Sequence, residues 1–154
     1  MHKRFTKSPD ETKHLATSLG LVLPVPVTLA LVGDLGAGKT CFVQGLSVAF
    51  QLKEQPVSPT FILISEHDGK VPLLHSDLYR VEESDLQGLG IEEQLELWDG
   101  VAVVEWANLF PSILPENTIW VSLTHVQGGR EIRVWSEKPS LNATLMKWND
   151  NALV

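Results

Sequence analysis

The fold turns on LALVGDLGAGKTCF, residues 29–42. An apolar run breaks into Gly33-Asp34-Leu35-Gly36-Ala37-Gly38-Lys39-Thr40, which matches GxxxxGK[ST] at every fixed position, and an apolar run then resumes. Glycines at these places let the backbone curl so that successive N–H groups face inward at a helix N-terminus, forming a nest for phosphate oxygens. Lys39 is spaced to reach the β- and γ-phosphates, and the Thr40 hydroxyl to take a place on Mg²⁺. The stretch predicts strand, phosphate loop and helix, and implies a bound nucleoside triphosphate. Cys41, on the first turn of that helix, reads as a small packing residue in preference to a thiol made reactive by the helix N-terminus.

Outward from the loop, the remaining chain alternates between helical and strand patterns. In SPDETKHLATSLGLVL, residues 8–23, Ser8 caps, Pro9 suits the first helical position and Glu11 completes an S-x-x-E capping box. Leu15, Leu19 and Val22 then recur at helical spacing. VTLALVG, residues 27–33, is nearly continuous in apolar residues, as a central strand covered on both faces would be. The helix over 39–50 turns Phe42, Val43, Leu46 and Phe50 inward.

In residues 60–79, Asp68-Gly69 separates two strand-like runs, a hairpin signal, and Pro72 puts the second run at an edge or delays its start. Residues 80–100 are acidic and broken by Gly88 and Gly90, giving one or two short helices. VAVVEWA, residues 101–107, is another buried strand; residues 117–137 split at Gly128-Gly129 into an antiparallel hairpin; residues 141–151 form a terminal helix. The fold class is α/β: a P-loop NTPase fold with a mixed, mostly parallel sheet flanked by helices and an antiparallel C-terminal hairpin, in a single domain over residues 1–154. Ligands in such sheets bind at the carboxyl ends of the strands, where Gly33 lies.

Bulk properties narrow the partners. The net charge is −7 with four arginines, Arg4, Arg80, Arg130 and Arg133. Tight, direct nucleic-acid binding is disfavoured, because phosphate neutralisation supplies most of that affinity. A single cysteine excludes an internal disulfide framework and fits a reducing cytosol. The basic start meets Asp10 and Glu11 instead of an apolar core, which argues against a signal peptide. The apolar stretch at 21–32 is cut by Pro24 and Pro26 and is too short to span a bilayer. The expectation is a cytoplasmic protein with no membrane partner.

A triphosphate site that does chemistry needs a carboxylate near Mg²⁺ and a group to orient the attacking water. Glu105 ends the buried run at 101–105, where an acid beside the metal belongs; Asp77 ends the run before DLYR and suits metal binding, water orientation or simple capping. Ser58, Pro59 and Thr60 form a turn in the region where switch proteins sense a γ-phosphate. Trp106 is core packing or a platform at the site mouth, and His75 receives no role.

With GDLGAGKT, SPTF, HSDLYR, Gly90-Ile91, VVEWA and GGREIRV in that order, the chain resembles the bacterial TsaE (YjeE-type) family, small P-loop ATPases needed to make threonylcarbamoyladenosine in tRNA. The resemblance runs from about residue 8 to residue 134. It implies that Lys39 and the loop amides hold ATP phosphates, that Thr40 and Glu105 serve Mg²⁺, and that Asp77 acts in hydrolysis, with residues 58–60 as a switch-like segment. It also implies Thr12 and Arg130 as nucleotide contacts, and Trp106 as the second member of the family's E-W pair. The implied partners are TsaD and TsaB, with tRNA met indirectly through their complex and ATP hydrolysis resetting it between turnovers. Many members carry a second threonine where this chain has Cys41.

Two other classes stay open at this point. A small-molecule kinase needs an arginine-rich lid to neutralise phosphates, and the close arginine pair here, Arg130 and Arg133, sits in a hairpin. A nucleotide-gated adaptor would bind without needing to hydrolyse. A GTPase is disfavoured by the absence of an N-K-x-D stretch.

Overall fold

The computed structural model describes residues 1–56 and 63–151. The expected switch-like segment, Ser58, Pro59 and Thr60, lies outside the described residues. Among the described residues, seven strands form one sheet: β1 (His2–Thr6), β2 (Val27–Val32), β3 (Ile64–His67), β4 (Leu73–Asp77), β5 (Val101–Glu105), β6 (Thr118–Val126) and β7 (Gly129–Trp135). Their spatial order is β1-β7-β6-β2-β5-β4-β3. The central run β6-β2-β5-β4 is parallel, and the edges are closed by antiparallel pairings, β7 and β1 on one side and β3 on the other.

Five α-helices among the described residues accompany the sheet: α1 (Pro9–Val22), α2 (Lys39–Phe50), α3 (Glu83–Leu89), α4 (Ile91–Leu97) and α5 (Pro139–Asn151). Alternate residues of β2 and β5 feed two separate cores. Leu29, Leu31, Val101 and Val103 meet Leu19, Phe42, Leu46 and Trp148 from α1, α2 and α5. Ala30, Ala102 and Val104 meet Leu74, Ile91, Leu95 and Ile113 on the other face. Burial on both faces is why these strands read as unbroken apolar runs.

Helices α1 and α2 approach closely enough that a Cβ on Gly45 would lie 2.3 Å from the Lys13 carbonyl oxygen. The buried residues of α1 are Thr12, Ala16, Leu19 and Gly20, with Leu15 and Val22 packed at the margin. Of the apolar triplet expected from the sequence, Leu19 is buried, while Leu15 and Val22 flank a face that is otherwise made of small residues where α2 comes close. Ser8 caps as expected, accepting from the Glu11 N–H at 3.1 Å, but the Glu11 carboxylate accepts from the Lys7 N–H at 2.6 Å instead of from Ser8.

Strand β4 starts after Pro72 and lies inside the sheet, with β3 as the edge. Strand β1 is a feature that the pattern reading missed. Its burial is weak, and it is ordered by pairing with the free edge of β7, from His2↔Val134 to Thr6↔Arg130. Among the described residues, no helix is long and apolar enough to cross a membrane.

Candidate active site

Between β2 and α2 the chain turns through Gly36 and Gly38, with φ of 79° and 106°. Side chains rarely adopt that left-handed conformation, so glycine is needed at both places. Helix α2 opens at Gly38 without a side-chain cap, which leaves its first N–H groups for an anion. Lys39 is 7% exposed; its Nζ donates to the Gly33 carbonyl oxygen and, at 3.4 Å, to that of Asp34. The same ammonium lies 4.0 Å from the centroid of the Trp106 ring. Burial pulls the Lys39 pKa down, while the Glu105, Asp77 and Asp34 carboxylates pull it up.

Parallel pairing of β4 with β5 sets Asp77 opposite Glu105, at the carboxyl ends of both strands. Glu105 is 3% exposed, and its Oε2 accepts a hydrogen bond of 2.6 Å from Nε2 of His75, itself 1% exposed. Trp106 follows with a φ of 59°, a left-handed conformation that is uncommon for a bulky residue and tends to mark functional sites. It turns its ring toward Lys39 and packs on the half-exposed Tyr79, ring centroids 4.6 Å apart.

Asp77 accepts the Tyr79 N–H at 2.9 Å through Oδ1. Burial raises its carboxyl above the ordinary range and the Glu105 charge adds to the rise, against the Tyr79 N–H, which favours the carboxylate. The folded value exceeds the unfolded one, so ionised Asp77 opposes folding at neutral pH, and the opposition fades as pH falls through the raised folded value. Asp77→Asn should therefore melt at a higher temperature than wild type at pH 7, with the difference closing on acidification. Melting curves across pH check this; a gap that is absent, or constant with pH, contradicts it.

The opposite wall comes from one edge of the sheet, where β1 pairs with β7, and from the start of α1. Thr6 and Thr12 join their buried hydroxyls at 2.7 Å. Arg130, just past the β6–β7 turn, reaches back to the loop: Nε donates to the Ala37 carbonyl at 3.0 Å and Nη2 to that of Gly36 at 3.1 Å. These groups enclose a cavity of about 380 Å³ lined by Leu35, Gly36, Gly38, Lys39 and Thr40, by Asp77, Glu105 and Trp106, and by Thr6, Pro9, Thr12 and Arg130. Cys41, expected as a small packing residue, is half-buried and also lines the cavity.

The structure thus brings Lys39, Thr40, Asp77, Glu105, Trp106, Thr12 and Arg130 to one cavity. Gly33 bonds Lys39 from beneath, Asp34 is exposed, and Ala37 is buried under the loop. His75, Tyr79 and Thr6 were not anticipated as neighbours of the site. His75 was readable in principle, since it stands two residues before Asp77 on a strand and so shares its face.

A parallel sheet whose β2 runs through this glycine loop into α2 defines a P-loop fold. The crystal structure of Bacillus subtilis YdiB superposes with a TM-score of 0.78 at 29% identity, covering 98% of this chain and 95% of that one. The chain belongs to the TsaE family: the family model described as "Threonylcarbamoyl adenosine biosynthesis protein TsaE" matches residues 6–132. Among its relatives, the tRNA threonylcarbamoyladenosine biosynthesis protein TsaE of Nostoc sp. is 39% identical over 139 residues, 87% of this chain and 85% of that protein. The protein of the same name from Treponema pallidum is 37% identical over 131 residues, 84% of this chain and 96% of that protein.

Proposed function

We propose that the chain is a Mg²⁺-dependent ATPase subunit that supports threonylcarbamoyladenosine formation in tRNA by acting on a TsaB–TsaD complex. The observation that carries this reading is the convergence of Lys39, Thr40, Asp77 and Glu105 on one cavity beside the glycine loop. The loop amides and Lys39 hold the phosphates, and the wall of Thr6, Thr12 and Arg130 faces the nucleoside. Thr40, exposed on the first turn of α2, and the buried Glu105 carboxylate are hard oxygen donors of the kind Mg²⁺ takes alongside phosphate oxygens and water. Thr40 and Glu105 would hold the metal, which supplies charge neutralisation across the β- and γ-phosphates when bound. Asp77, at the same strand end, orients the attacking water.

Lys39 exchanges the Gly33 carbonyl and the Trp106 face for a phosphate when a nucleotide binds. The test is ATP hydrolysis with Mg²⁺, measured for the protein alone and with purified TsaB–TsaD, with Glu105→Ala in parallel. Stimulation by the partners, lost by roughly 100-fold in the variant, is the expected result. Firm ATP binding without stimulated hydrolysis would make the protein a nucleotide-gated adaptor.

A further inference from the structure

We infer that His75 is a positioning residue that fixes the Glu105 carboxylate by donating its Nε2–H, leaving the other carboxylate oxygen turned to the metal side of the cavity. The inference rests on the reading of Glu105 as the acid beside Mg²⁺. Both side chains are almost fully buried, and the contact is 2.6 Å. A carboxylate only accepts, so the proton of this contact sits on Nε2.

The other ring nitrogen, Nδ1, is buried and has no partner among the described residues. An unpaired buried polar atom costs free energy that an apolar side chain of similar size would not. The imidazole is thus poorly explained as filling; the side-chain hydrogen bond it makes among the described residues is the one to Glu105. That bond addresses a specific difficulty of the site. Register on adjoining parallel strands sets Asp77 and Glu105 side by side, and two carboxylates repel. A donor fixed on the same face as Asp77, two residues earlier on β4, anchors Glu105 without occupying the cavity, since His75 is not among its lining residues. Loss of a partner that hydrogen-bonds a metal-binding carboxylate from behind typically costs about 10- to 100-fold in metal affinity.

The experiment measures ADP affinity by calorimetry with Mg²⁺ and with chelator, for wild type, His75→Leu, His75→Gln and Glu105→Ala. The expected result is that His75→Leu keeps the metal-free affinity and loses about 10-fold or more of the gain conferred by Mg²⁺. His75→Gln, whose amide N–H can replace Nε2–H, recovers part of that gain. If His75→Leu fails to fold, His75→Asn, with the amide too short to reach Glu105, takes its place against His75→Gln. A full Mg²⁺ gain in the Leu or Asn variant, beside its loss in Glu105→Ala, overturns the positioning role alone. A full gain in Glu105→Ala overturns the metal reading of Glu105 and this inference with it.

Discussion

Lys39→Ala is expected to lower kcat/KM for ATP by on the order of 100- to 1,000-fold, the usual loss when one preorganised charge is removed from a transition state. The lysine starts α2 under a loop whose glycines exist to expose N–H groups, and its ammonium is held in place by the Gly33 and Asp34 carbonyls and the Trp106 ring. In the proposed function a triphosphate holds the ammonium more strongly than those carbonyls and the ring do, and the ammonium would transfer to the β- and γ-phosphates. Lys39→Arg is no substitute, because a bulky planar fork replaces a compact point charge at a site where the side chain is only 7% exposed. Steady-state hydrolysis and nucleotide titration decide the matter. An alanine variant that keeps more than a tenth of the activity would show that the lysine is a structural peg of the loop.

The second large effect concerns stability and lies outside the segment shared with the family model. Trp148, on α5, is 2% exposed, donates its indole N–H to the Ser18 hydroxyl at 3.0 Å, and lies under the Arg4 guanidinium at 5.3 Å. It ties the terminal helix to α1 and to β1 at once. Truncating such an aromatic costs about 3–5 kcal/mol, a large share of the roughly 5–15 kcal/mol that holds a domain together. Trp148→Ala is therefore expected to melt about 6–20 °C below wild type. Because β1 leads into the cavity wall at Thr6, nucleotide affinity should fall as well. A shift of less than about 2 °C would mean that α5 merely lies on the surface.

What could be read in the sequence was whatever local spacing determines. The phosphate loop is specified within eight consecutive residues, and Asp77 and Glu105 are marked by standing at the ends of apolar runs. Strand β1 was not legible, because HKRFT has one large apolar residue and forms a strand only through the open edge of β7. The partnership of His75 with Glu105 was not legible either. Periodicity puts His75 on the same face as Asp77, but which residue of β5 lies beside it depends on a register that only the assembled sheet defines. Arg130 could be placed near the nucleotide from the family resemblance, yet its grip on the Gly36 and Ala37 carbonyls belongs to tertiary structure.

The wall facing the phosphate cradle joins the first strand to the last one through their pairing at Thr6 and Arg130. During synthesis, the cradle at residues 33–40 therefore emerges long before its roof can close. A nascent or truncated chain ending before β7 has the means to attract phosphate and none of the Arg130 contacts that brace the loop. Closure of the wall thus waits for β7: the pocket is whole only once that strand has paired with β1.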